Sequence, residues 1–285
     1  MNQLVREFKA GALELTPLTP TIGVEVAGVD LSRPLDDDTL AGLRQALLDW
    51  KVLFFRDQDI TTEQHLAFAR RFGELEVHPF APSKPGYPEV LAITHNENSK
   101  GRENVWHSDV TWREIPSLGS ILRAIEIPPV GGDTLFSDMY AAYEGLSAEV
   151  KAKIEGRVAV HDFAHFRRGL VKAGKTAEEI EAFNRAYPMV EHPVVRTHPE
   201  TGRKAIYVNA AFTQHVVGLE KDESDALLAH LYAQAAIPEY QCRFRWSVNA
   251  IAFWDNRASQ HYAASDYFPA VRRMERVTII GDRPV

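Results

Sequence analysis

Short apolar, β-prone runs lie toward both ends of the chain, with helix-like stretches between them, and this distribution most narrows the available folds. Residues 13–30 alternate apolar runs with Gly and Pro and end in Gly23-Val24-Glu25-Val26-Ala27-Gly28-Val29, a pattern of strands joined by tight turns. Val52-Leu53-Phe54-Phe55 reads as a short, fully buried strand. Gln241 to Trp246, Ala250 to Trp254 and Arg276 to Ile280 read as three closing strands. The pattern suggests one β-sandwich core with helical insertions, mainly β in class. No repeat, low-complexity tract or linker divides the chain, so residues 1–285 are expected to form a single domain.

Between the ends, Thr39 is placed as an N-cap, with Leu40, Leu43, Leu47 and Trp50 at helical spacing behind it. Thr61 or Thr62 caps a second helix through Phe72, closed by Gly73, with Leu66, Ala69 and Phe72 as its apolar stripe. Residues 78–88 hold four prolines and a glycine and read as a loop. Val90 to Thr94, Gly119 to Ile127 and Thr134 to Phe136 read as strands, and residues 95–104 as a polar stretch. Ala141 to Ile154 reads as one helix. Residues 164–190 read as irregular, with one short helix near Ala177 to Phe183. Val194 to Thr197 and Ala205 to Val208 form a hairpin about Pro199-Glu200-Thr201-Gly202, and a helix runs from Asp222 through Leu227, Leu228, Leu231 and Ala235.

Composition removes several classes of function. A hydrophobic content of 45% in 285 residues permits a substantial core. The net charge of −7 argues against bulk nucleic-acid affinity, which needs clustered basic charge. The single cysteine, Cys242, excludes an internal disulfide and any cysteine-rich metal site, and fits a reducing cytoplasm. Met1 to Glu7 carry no apolar signal core, and no run approaches a membrane span. A cytoplasmic chain without membrane or nucleic-acid partners is expected.

The chemistry centres on Val105-Trp106-His107-Ser108-Asp109-Val110-Thr111-Trp112, which reads as a β-strand. On a strand, residues two apart point to the same face, so His107 and Asp109 would present an imidazole and a carboxylate together. A 2-His-1-carboxylate set holds one face of an octahedral metal and leaves the other open, as in non-haem Fe(II) oxygenases. The spacing is not distinctive, because His95/Glu97 and His198/Glu200 share it. Context separates the three. His198/Glu200 encloses Pro199 in a turn, His95/Glu97 lies in a polar stretch and reads as exposed, and only His107/Asp109 is flanked by aromatics. The best candidate for a third ligand is His261, where the chain leaves a buried-looking strand through a polar turn. Arg272, Arg273 and Arg276 follow as a basic cluster, either solvated or aimed into the same cavity, where a guanidinium would grip a carboxylate in a bidentate fork. Asp255 and Asn256 read as turn residues or as partners of the metal ligands.

Gly28 to Leu35, Phe55-Arg56-Asp57-Gln58, Arg71 to Leu75, Trp106 to Thr111, Gly131-Gly132-Asp133-Thr134, His192 to Pro199, Trp254-Asp255-Asn256-Arg257 with Gln260-His261-Tyr262, and Arg276 to Asp282 together resemble the taurine dioxygenase / 2,4-dichlorophenoxyacetate dioxygenase family of Fe(II)- and 2-oxoglutarate-dependent oxygenases. The resemblance runs along nearly the whole chain. It implies a double-stranded β-helix (jelly-roll) core flanked by helices. It implies His107, Asp109 and His261 as iron ligands, Thr134 and Arg272 for the distal carboxylate of 2-oxoglutarate, and O2 as the other co-substrate. It implies Arg276 and His78 as contacts to a substrate anion, Val110 and Phe212 as apolar pocket residues, and a homo-oligomer, dimer or tetramer.

The implied activity is hydroxylation of a small anionic organic substrate, a sulfonate, alkyl sulfate or relative, coupled to conversion of 2-oxoglutarate to succinate and CO2. Aryloxyalkanoate ether cleavage or amino-acid and natural-product hydroxylation is the alternative within the class. A non-enzymatic jelly roll that binds metal or 2-oxoglutarate is the alternative outside it. Three departures argue against taurine itself: Ala81 where the taurine enzymes carry an aromatic, Glu103 where they carry an asparagine, and Phe166-Arg167 where they carry Ser-Phe. Ala81 points to a longer or bulkier substrate. Glu103 would pair with a substrate amine or stand exposed. Arg167 and Arg168 would face solvent or reach a second anionic group.

Overall fold

Two sheets packed face to face, with helices over the outer face of the larger one, make up the core of the computed structural model, which describes residues 8–10 and 13–285. The segment Met1 to Glu7, read above for a signal core, lies outside the described residues. Among the described residues the larger sheet has nine strands. Their order is Phe8–Ala10, Leu13–Pro17, Val24–Ala27, Val52–Phe55, Ile251–Asp255, Ser117–Glu126, Arg272–Ile280, Tyr87–His95 and Ser83–Lys84. The facing sheet pairs Gln241–Phe244, Thr134–Asp138 and Ser259–Ala263. This is the double-stranded β-helix with helical insertions.

The central strands explain why their sequences are apolar throughout. Val52–Phe55 is buried at every position. Leu53 and Phe55 face the layer formed by the helices Asp37–Trp50 and Thr62–Arg70, with Leu43, Leu47, Leu66, Phe68 and Phe72. Val52 and Phe54 face the smaller sheet, with Phe136, Cys242, Phe244 and Trp254. Strand alternation thus feeds two cores from one segment. Each such side chain contributes about 1.5–3 kcal/mol relative to exposure.

The local signals that held are those with a mechanism contained in the segment. Thr61 caps the second helix in a reciprocal box with Gln64. The first helix is capped by Asp36 rather than Thr39, because the Asp36 carboxylate reaches the Thr39 N–H at 2.7 Å. Residues 141–154 are two helices, Met139–Glu144 and Ala148–Ile154, not one. Gly145 closes the first and the Ser147 hydroxyl caps the second. Residues 164–190 hold two helices, Ala164–Lys172 and Ala177–Ala186, the second capped by Thr176 and Glu179. The proline-rich stretch 78–88 is a loop only in its first half; Ser83–Lys84 pairs back onto Tyr87–His95. The last strand begins at Arg272, not Arg276. No helix among the described residues is long and apolar enough to cross a membrane.

Candidate active site

Residues 105–112 are not a strand. His107 makes a single antiparallel bridge to His261, with N–H···O contacts of 3.1 and 2.8 Å, and the chain then turns. Val110 sits at φ 49°, a left-handed conformation costly for a β-branched residue, and it ends any extended run. The bridge to His261 fixes the backbone at His107, Asn256 takes the Asp109 N–H, and the left-handed turn follows at Val110. His261 likewise lies on a strand, Ser259–Ala263, that its polar sequence disguised. The bridge sets the two imidazoles side by side, ring centroids 4.2 Å apart.

The donor atoms of His107, Asp109 and His261 lie within 4.8 Å of one another. Asp109 Oδ1 is 3.9 Å from His107 Nε2 and 4.0 Å from His261 Nε2. His107 Nδ1 approaches the Val105 carbonyl at 2.8 Å, so that nitrogen carries the proton and Nε2 keeps its lone pair toward the cluster. The His261 ring is pushed down to about 3, first by burial and then by His107, so it is a neutral donor. For Asp109, burial opposes the charge, yet the Arg276 guanidinium 2.6 Å from Oδ1 and the two imidazoles hold the carboxyl well below the usual range. Two imidazoles and one ionised carboxylate are the donor set that suits a divalent iron.

The cavity beside this cluster is lined by Ile93, Leu122, Trp254 and Ala263 on its apolar side and by Thr134, Arg272, Arg276 and Glu103 on its polar side. Arg272 and Arg276 share one strand face through the two-residue period and both aim inward. Arg272 is 4% exposed, and its Nε and Nη2 have no hydrogen-bond partner among the described residues. An unpaired buried guanidinium is costly unless a ligand anion completes it. Thr134 Oγ1 accepts from the Trp246 indole at 3.0 Å, which leaves the hydroxyl proton free to donate into the cavity. A distal carboxylate of 2-oxoglutarate fits this pair.

Arg276 has two sides: Nη1 is spent on Asp109, while Nε is buried without a partner among the described residues. The His78 ring is pushed down to about 4 by burial, then by Arg276 and Arg113. Its Nδ1 accepts the backbone N–H groups of Phe80 and Ala81 at 3.2 and 3.0 Å, leaving Nε2–H as a donor. Phe212 lies 6.2 Å from the His107 ring, and Val110 is buried next to Asp109.

Other expectations change. His95 is buried rather than exposed, and Glu103 approaches it at 3.1 Å while lining the cavity. Arg167 is half-buried and engaged by protein groups. It grips Asp162 through Nε and Nη2, donates to Asn184 Oδ1, and reaches the Tyr187 carbonyl at 3.0 Å. Arg168 is exposed. His198, set aside as a ligand, is buried and pairs with Asp255 at 3.1 Å. Sequence reasoning missed Ser120, whose hydroxyl donates to Asp109 Oδ2 at 2.7 Å; nothing local marks that serine.

Fold and site together define an Fe(II)- and 2-oxoglutarate-dependent dioxygenase, which sets aside the non-enzymatic alternative. The sequence pattern of the family "Taurine catabolism dioxygenase TauD, TfdA family" matches residues 14–278. The chain is 37% identical over 277 residues to an alkylsulfatase of Acinetobacter baylyi, covering 95% of this chain and 86% of that protein. It is 35% identical over 278 residues to an alpha-ketoglutarate-dependent sulfate ester dioxygenase of Pseudomonas putida, covering 96% and 91%. The crystal structure of a taurine dioxygenase from Burkholderia xenovorans superposes with a TM-score of 0.83 at 41% identity, covering 96% of this chain and 91% of that one. The chain belongs to the TauD/TfdA family, whose members act on small organic anions with Fe(II), 2-oxoglutarate and O2.

Proposed function

We propose that this dioxygenase oxidises a sulfate ester or sulfonate with an apolar organic group, and releases the oxidised carbon fragment from its anionic head. The observation that carries the reading is Arg276, which lines the cavity and whose buried Nε has no partner among the described residues while Nη1 holds Asp109. In this reading His107, Asp109 and His261 ligate the iron. When bound, iron and 2-oxoglutarate supply the oxidation of a substrate C–H bond by O2, with succinate and CO2 as co-products.

The chain's own residues have four tasks. Arg272 and Thr134 fix the distal carboxylate of 2-oxoglutarate in a dry pocket, where a charge-assisted pair is strong. Arg276 and the Nε2–H of His78 hold the substrate's anionic head beside the cluster. Val110 and Phe212 exclude water and hold the carbon to be oxidised beside the cluster of His107, Asp109 and His261. Glu103, at the cavity edge, disfavours a second negative charge there. We read the chain as cytoplasmic, which the free buried thiol of Cys242 supports, and as a homo-oligomer on the family resemblance alone.

The half-buried rings of Phe80, Phe163, Phe166 and Phe183 favour a second reading, an aryloxyalkanoate as substrate, because they offer faces on which an aryl group stacks. One experiment separates the two. Protein with Fe(II), ascorbate and 2-oxoglutarate is given alkyl sulfates, sulfonates, aryloxy acids and amino acids in turn, and succinate, sulfate and phenol are measured. Sulfate or sulfite release matched one-to-one by succinate is the expected outcome; turnover of aryloxy acids alone overturns the sulfur reading. Arg276→Ala raises KM for substrate more than KM for 2-oxoglutarate, and equal rises remove Arg276 as the anchor.

A further inference from the structure

Asp109 can serve a metal only if its carboxylate stays turned toward the two imidazoles, and both polar atoms of one side chain help to hold it there. Asn256 is 2% exposed, in the turn between the strands Ile251–Asp255 and Ser259–Ala263. Its Oδ1 accepts the Asp109 backbone N–H at 3.0 Å and the Trp254 indole N–H at 3.0 Å. Its Nδ2 donates to Ser117 Oγ at 2.9 Å and Ser120 Oγ at 3.3 Å, and touches Asp109 Oδ2 at 3.5 Å. The amide orientation is forced, since both N–H donors lie on one side and all the oxygens on the other. Ser120 relays the amide to the carboxylate through its 2.7 Å bond to Oδ2. With Oδ2 satisfied from behind, Oδ1 faces the imidazoles.

The turn that carries Asn256 is itself locked. Asp255 takes the Arg257 backbone N–H at 2.8 Å and its guanidinium at 2.9 and 2.8 Å, and His198 reaches Asp255 at 3.1 Å. The third fork of Arg257 goes to Glu200 at 2.7 Å. The same turn leads into the strand that bears His261, and Ser108 Oγ donates to the Ser259 carbonyl at 2.8 Å. One four-residue corner therefore sets the carboxylate through Asn256 and the second imidazole through the strand it starts.

We infer that Asn256 is a positioning residue that orients Asp109 for metal binding, acting through Ser120. This rests on the assignment of His107, Asp109 and His261 as the metal ligands. Partners of this kind around metal ligands are worth roughly 10- to 100-fold in metal affinity.

The test is Mn(II) titration followed by electron paramagnetic resonance, on the full chain, with the unfolding midpoint of the metal-free protein measured in parallel. Asn256→Ala weakens Mn(II) binding roughly 10- to 100-fold in protein that remains folded. Ser120→Ala, which removes one hydroxyl and leaves the turn intact, weakens it roughly 5-fold, the worth of one ordinary hydrogen bond. A lowered midpoint with Mn(II) affinity within twofold of the unsubstituted protein in both variants overturns the inference, since it marks Asn256 as structural only. If Asn256→Ala does not fold, Ser120→Ala decides. If the unsubstituted protein itself binds no Mn(II), the ligand assignment fails instead.

Discussion

Two parts of the molecule meet at the rings of Phe80, Trp112 and Phe163, and they are held in different ways. The floor is the turn from His107 to Arg113. Its backbone and side chains are tied down by Asn256, Ser120 and Ser259 on one flank, and by Asn209, His161 and His192 on the other, the latter reaching Thr111 and the Arg113 carbonyl. The cover is the hairpin of helices Ala164–Lys172 and Ala177–Ala186. Neither helix has a buried residue. It is attached by Arg167 and by a ladder of rings in which Phe80 stacks on Phe166 at 4.3 Å and meets Tyr187 edge-on at 4.7 Å.

The contrast teaches where this fold concentrates its constraint. Directional hydrogen bonds fix the groups whose misplacement by an ångström costs rate. Non-directional aromatic contacts hold the helical hairpin, which in the proposed reading meets the organic part of the substrate, where shape must accommodate rather than dictate. Regions with few buried contacts open most easily, so the cover is the first part expected to exchange its amide protons.

The largest effect that could break this contrast is at the floor. Asp109→Ala or His107→Ala should abolish substrate-dependent succinate release, and Mn(II) binding should be lost in the same proteins. Retained turnover removes the ligand set. Arg276→Ala comes next. It leaves Asp109 buried without its partner, and in metal-free protein this should lower the unfolding free energy by about 3–5 kcal/mol. Saturating Mn(II) should recover part of that loss, because a cation then faces the carboxylate. A loss that is the same with and without metal would mean the two never compete for Oδ1.

Acid should act on the floor and core before the cover. His65 and His161 are fully buried, and burial above all pushes each ring down to about 3. Below the ordinary histidine range near 6.5 the unfolded chain binds protons that the folded chain refuses, so stability must fall as pH falls. The slope approaches about 1.4 kcal/mol per pH unit for each ring between roughly pH 6.5 and 5. Denaturant unfolding at several pH values checks it, and a flat profile across that window would mean the rings are protonated in the fold. Smaller still, Phe166→Ala should cost far less than Phe54→Ala, a core truncation worth about 3–5 kcal/mol. It should raise KM for long-tailed substrates and speed hydrogen exchange in residues 164–186. Equal costs at Phe166 and Phe54 would erase the difference between cover and core. Arg168→Ala, fully at the surface, should stay within about 0.5 kcal/mol of the unsubstituted protein.

How legible the site was depended on how far its determinants lay along the chain. Val52–Phe55 and the Thr61 cap could be read directly, since burial on both faces and a reciprocal capping pair are written in four adjacent residues. Of the cover helices only a short piece near Ala177 to Phe183 was read, and Ala164–Lys172 was taken as irregular, because their apolar rings are few and meet Phe80 and Phe163 rather than each other alone. His261 was found by residue type and by family resemblance, although its strand was not, because Ser259-Gln260-His261 carries no apolar pattern and is polar on account of the cavity it faces.

By itself, then, the sequence determined the inventory: which segments must be buried, that no cysteine could serve a metal, and that two histidines, an aspartate and two arginines were available for one centre. The tertiary structure decided how they meet. Asp109 points at two imidazoles because the His107–His261 bridge sets the rings side by side, and because Asn256, 147 residues further on, holds both the backbone N–H and the carboxylate of that aspartate. A contact across so long a stretch of chain has no local signature; its energy is collected only after the sheets have paired and water has left the floor of the cavity.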